Sequence, residues 1–149
     1  MKLTSALLLL VVVAGCGSSL DAARGSVAPT PTDFVGLVKA LSEQELNVSN
    51  VVSGDPGCAN QELVPMAISF EIAGAGIPAP VHARVYRFAN KESYDKLRQS
   101  VDACAAEWIS DPSTLLMVDA SPYVLVTEGI PEGATADAIR AALSEAAGE

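Results

Sequence analysis

Few side chains in this 149-residue chain are equipped to do chemistry: three cysteines (Cys16, Cys58, Cys104), one histidine (His82), and Ser93 with Lys96 one helical turn later. A thiol can take an acyl group or pair with a second thiol. A histidine can shuttle protons or bind a metal. A lysine at i+3 can activate a serine, as in the S-x-x-K pattern. That pattern needs further Ser and Lys motifs and a larger domain, and Ser93 reads instead as a helix-start residue after Asn90. Gly74-Ala75-Gly76 echoes a dinucleotide fingerprint, but two prolines and a strand follow where a helix would have to start, so it reads as a hairpin loop. The 18 carboxylates are scattered and form no Asp-x-Asp-x-Asp-Gly loop. No metal, cofactor or catalytic constellation is expected, and the chain is read as a non-enzyme.

The first residues, MKLTSALLLLVVVAGC, place one cation, Lys2, before an apolar run that is too short for the roughly 20 residues of a membrane-spanning helix. Such a start marks a secretory signal peptide. Its end, Val13-Ala14-Gly15-Cys16, resembles the lipobox of bacterial lipoproteins: aliphatic, small, Gly or Ala, then Cys. The resemblance implies cleavage before Cys16 and attachment of acyl chains, palmitate among them, to that residue. It covers residues 1–17 only, and no motif in residues 33–149 narrows the family. More than one acyl chain would make membrane attachment stable. The alternative is an ordinary signal peptide with an incidental cysteine.

These observations divide the chain into a signal peptide at 1–15, a lipidated Cys16 with a tether through 32, and one domain over 33–149. The tether is small, polar and Pro-containing, and sixteen extended residues reach about 50 Å. With Cys16 used as an anchor, Cys58 and Cys104 are left outside the cytoplasm, where spare thiols pair. A structural disulfide is the expectation; free buried thiols and a redox pair are the alternatives.

Elements must position these residues. Thr32 can cap a first helix carrying Phe34, Leu37, Val38 and Leu41. A short strand over 47–53 and a turn at Gly54–Gly57 follow. Met66, Ile68, Phe70 and Ile72 alternate with polar or small residues, as do Val81, Ala83 and Val85 after a loop at 74–80. Setting Ile72 opposite Val81 aligns both apolar sets in one hairpin. That register puts His82 across from Glu71, on the face with Arg84 and Tyr86. The face is either simply solvated, or His82, Arg84 and Tyr86 form a cationic-aromatic strip for an anionic ligand or a partner's carboxylate.

Asn90 can cap a helix with Tyr94, Leu97, Val101, Cys104 and Trp108 at intervals of three and four. Leu115–Val118 and Tyr123–Val126 are continuously apolar, as strands buried on both faces are. Thr135 can cap a last helix with Ile139 and Leu143 inward. The order α-β-β-β-α-β-β-α predicts an α+β domain of two layers, a mostly antiparallel sheet of about five strands with helices on one face.

The net charge is −9 and the pI about 4.4, with no basic cluster, which argues against nucleic acid as a partner. Four functions compete. The first is an extracytoplasmic lipoprotein in the bacterial cell envelope, membrane-bound through acylated Cys16, that docks an envelope protein without catalysis. The second is a carrier of a small apolar or anionic ligand, with room left by the alanines of the last helix. An enzyme and a structural spacer complete the set.

Overall fold

A computed structural model describes residues 34–74, 76–130 and 132–148. The expected lipobox at Val13–Cys16, the expected tether and the expected Thr32 cap lie outside the described residues. Five strands form one open sheet: β1 (Leu46–Ser53), β2 (Ala67–Gly74), β3 (Ile77–Arg87), β4 (Leu115–Ala120) and β5 (Tyr123–Glu128). Their spatial order is β1-β2-β3-β5-β4, and every neighbouring pair is antiparallel. Three helices complete the domain: α1 (Phe34–Glu43), α2 (Lys91–Trp108) and α3 (Ala134–Ala147). The α+β class and the element order are as expected. Among the described residues, no helix is long and apolar enough to cross a membrane.

The β2–β3 register follows the alternation, with Ile72 opposite Val81 and Glu71 opposite His82. Three segments differ from expectation at their ends. Met66 closes a 3-10 turn, Val64–Met66, that Pro65 starts, so β2 begins at Ala67. The loop expected over 74–80 shrinks to the hairpin tip, because β3 starts at Ile77. Pro78 and Pro80 fit there because β3 pairs with β5 only from Ala83 onward, leaving the outer side of that stretch without a ladder to break. Helix α3 is capped by Gly133, and Thr135 falls inside it.

The helices divide between the two faces of the sheet, whereas one shared face was expected. On one face α1 and α3 bury Leu37, Leu41, Ile139 and Leu143 against Phe70, Ile72, Val85 and Leu125. On the other, α2 lays Leu97, Val101 and Cys104 over Tyr86, Val124 and Val126. The apolar run of β5 is the physical reason: Tyr123 through Thr127 are all buried, so both sides of that strand need cover. Strand β4 is an edge strand and buries only alternate residues, Leu116, Val118 and Ala120, rather than both faces.

Strand β1 is the other edge. Its partners run regularly from Leu46 to Ser49, then shift, so that Asn50 and Val51 together stand opposite Phe70 alone. Asn50 takes a φ of +52° and its amide donates to Glu71 at 2.7 Å. This is a β-bulge, which breaks the exposed ladder partway along.

Between α2 and the β4 edge, Asp119 accepts from both Arg98 and the Tyr94 hydroxyl, the latter at 2.9 Å. Burial alone would raise the Asp119 carboxyl. The hydrogen bonds of Arg98 and Tyr94 and the Arg98 charge prevail and hold it below the usual carboxylate range. Its stabilising contribution is therefore present above the unfolded value, about pH 4, and is lost as pH falls through the lower folded one. The stability gap between wild type and Asp119→Asn should be widest at neutral pH and close on acidification below about pH 4. Urea midpoints measured from pH 7 to pH 3 check this; a gap independent of pH would contradict it.

Candidate anion-binding groove

The face bearing His82, Arg84 and Tyr86 is the one that α2 and the 54–66 segment cover, so the three do not form a common exposed strip. His82 is exposed. Arg84 is committed within the protein: its guanidinium donates to Asp55 at 3.0 Å and lies 4.4 Å over the Trp108 ring. Tyr86 is fully buried, and its hydroxyl donates to the Pro56 carbonyl at 2.7 Å. Burial pushes that hydroxyl up to about 12, against the opposing pull of Trp108 and Arg84. The alternation marked the face correctly, but it carries no information about what packs upon it.

Together these contacts pin the segment that follows β1. Cys58 and Cys104 stand at disulfide distance, with Cα atoms 5.3 Å apart, tying the segment to α2. Asp55 also accepts from the Gly57 amide at 3.0 Å, closing a local turn. Burial would raise the Asp55 carboxyl, but Ser69, the Arg84 charge and the Gly57 amide bring it below its usual value. The Gly54 amide bonds back to Ala67 at 2.8 Å. The segment so anchored ends in Val64–Met66, and that turn is the wall of a groove.

Two adjoining grooves of about 380 and 350 Å³ share Pro65, Met66 and Arg87. One runs past Ser53, Gly54 and Ile68 at the end of the sheet. The other runs past Phe88, Ala89 and Ser93 onto the first turn of α2. No acidic residue lines either one. Arg87, the last residue of β3, is the charge between them.

Six of the seven described lysines and arginines lie within 4.0 Å of a carboxylate: Lys39, Arg84, Lys91, Lys96, Arg98 and Arg140. Arg87 is the seventh, and among the described residues its side chain has no ion pair or hydrogen bond. In a chain with 18 acids and nine bases, an unmatched arginine in a groove without acids is a local inversion of sign. Alternation along β3 puts Arg84 and Arg87 on opposite faces of the sheet, but it gives no sign of which arginine meets an acid.

No protein-family model matches the chain, and no curated protein or solved structure is significantly similar to it.

The remaining motif residues are placed apart from any shared task. The Ser93 amide donates to the Asn90 side chain at 2.8 Å, the cap expected there. Lys96 pairs with Glu62 at 3.8 Å. Among the described residues, no group of three or more His, Cys, Asp and Glu is placed to hold a metal ion. Of the alanines of α3, Ala136, Ala142 and Ala146 are buried in the first core, Ala141 is exposed, and Ala138 lines a groove of about 240 Å³ with Gln44, Leu46 and Thr135. What the arrangement around Arg87 can do is hold an anionic group in a charge-assisted, forked hydrogen bond, with apolar surface beside it.

Proposed function

We propose that this chain is a lipid-anchored module on the extracytoplasmic side of a bacterial membrane, held by acylated Cys16, that docks an envelope protein without catalysis. Docking runs through the grooves on either side of Arg87. The unmatched charge of Arg87, when six other cations are matched, is the observation that carries the docking half. The Val13–Cys16 motif carries the anchoring half. Anchoring suits a weak docking site, since confinement to one surface raises the effective concentration of a partner there. A carrier of a small anionic ligand is the second reading, favoured by the apolar residues beside the same arginine.

Two measurements test this on the full chain in bacterial cells. Mass spectrometry of the membrane fraction should find a mature chain beginning at Cys16 and heavier by its acyl groups, and Cys16→Ser should leave that fraction. A photo-crosslinking residue in place of Met66 should yield a protein adduct that Arg87→Glu abolishes and Lys91→Glu retains. An unlipidated chain cut elsewhere would overturn the anchoring. An adduct indifferent to Arg87 would overturn the docking.

A further inference from the structure

We infer that the occupant of the Arg87 grooves is an acidic segment of the partner's chain in which a carboxylate stands next to an apolar side chain. This rests on the docking reading above and names the chemistry that the site selects.

The sign of the occupant follows from the charges around the groove. Arg87 is the single charge among the residues lining both grooves, and every other described cation already has its carboxylate. A carboxylate entering here meets a guanidinium with no hydrogen-bond partner among the described residues, in grooves that no acid lines. Ser93 lies in the first turn of the 18-residue helix α2, whose positive dipole end is on the same side and is partly offset by Glu92 in that turn. A guanidinium presents a planar fork that matches a carboxylate through two parallel bonds.

The apolar half follows from the walls. Val64, Met66 and Ile68 are half-buried and Pro65 is exposed, so an arriving apolar side chain finds surface that water now covers. That surface is held in place by Leu63, fully buried in the second core just before it, and by the hydrogen bond from the Gly54 amide to Ala67, between Met66 and Ile68. A pre-set wall spares the ordering cost that a mobile one would add on binding.

Two other anionic occupants fit less well. A small amphiphile held by itself has most of its surface buried in its pocket. Both grooves are only partly enclosed, so a free fatty acid would keep part of its surface in water. An anionic bilayer surface would meet a domain of strongly negative net charge, and that repulsion opposes approach. A segment of a larger protein suffers neither problem, since it can cover further surface outside the groove.

The test uses the full lipidated chain in neutral detergent micelles and three fluorescein-labelled pentapeptides read by fluorescence polarisation. The probes are Leu-Asp-Leu-Glu-Leu, its neutral counterpart Leu-Asn-Leu-Gln-Leu, and Gly-Asp-Gly-Glu-Gly, all with blocked C-termini. The first should bind at least about tenfold more tightly than either of the others, the scale of one charge-assisted hydrogen bond. Arg87→Gln should bring the first probe down to the level of the neutral one, and Lys91→Gln should not. Arg87→Lys, which keeps the charge and loses the fork, should fall between. Unchanged urea midpoints would show that the variants are folded.

Equal binding of the acidic and neutral probes would overturn the inference, as would equal binding of the leucine and glycine probes. Dodecanoate binding more tightly than the acidic leucine probe would overturn it in favour of the carrier. No binding by any pentapeptide would also overturn it, while the Arg87-dependent adduct at Met66 would still stand or fall as the separate measure of docking.

Discussion

Opening the Cys58–Cys104 link should lower the domain's unfolding free energy by about 3 kcal/mol, the middle of the range for a native disulfide. The link closes a chain separation of 46 residues, which includes all of β2 and β3 and most of α2. Without it, the unfolded chain regains the freedom that the closed loop denies it. The folded state loses an anchor too, since the segment bearing Asp55 and Pro56 would keep only its non-covalent ties, among them those to Arg84, Tyr86 and Ala67. The expected observation is a drop in melting temperature of roughly 10–20 °C on adding a reductant, or in a Cys58→Ala/Cys104→Ala variant. Calorimetry with and without reductant checks it. Equal midpoints would mean that the core carries the fold unaided.

Gly74→Ala should cost about 3 kcal/mol or more, combining backbone strain with a steric clash. Gly74 ends β2 at a φ of +142°, where an L side chain is strained whatever the space around it. Space is also lacking: a Cβ there would sit 2.2 Å from the Glu45 carbonyl and 3.2 Å from the Leu46 Cα. Both obstacles are backbone: Leu46 begins the strand that Gly74 pairs with, and Glu45 immediately precedes it. Relief would require pulling β1 off β2 at its start, where Leu46 is fully buried. Gly133→Ala is the control, because Gly133 also has positive φ but nothing within 4 Å of its Cβ position. It should cost about 1 kcal/mol, from strain alone. Urea unfolding of the two variants side by side separates the terms. A Gly74→Ala cost no larger than the control's would show that the β1 backbone yields.

Local rules made much of this fold legible. The β2–β3 register could be read because both strands alternate, and a slip by one residue would turn Phe70 and Ile72 out of the core. The Asn90 cap and the stripe of α2 are likewise properties of neighbouring residues. The placement of α2 depended on more distant information. Continuous burial along β5 implies cover on both faces, yet nothing local says which helix supplies it. Once α2 crosses to the far side, Tyr86 sinks beneath it and the exposed strip dissolves. Arg87 was illegible for a similar reason. It stands three positions after Arg84, on the opposite face of β3, and the alternation does not say that the segment after β1 delivers Asp55 to Arg84 while no acid reaches Arg87. A missing counter-charge is a property of the folded surface and has no trace in spacing.

The bulge in β1 bears on how such chains could live side by side. Exposed sheet edges are templates on which identical molecules stack, and β1 carries valines, Val51 and Val52, that are about half exposed. Proteins confined to a surface meet one another far more often than proteins free in solution. The regular part of the β1 ladder spans only Leu46 to Ser49 before Asn50 and Val51 swing the backbone out of line. A second copy laid along that edge would lose registry within a few residues, too soon for a stable ladder to grow. The irregularity thus opposes edge-to-edge stacking of identical domains.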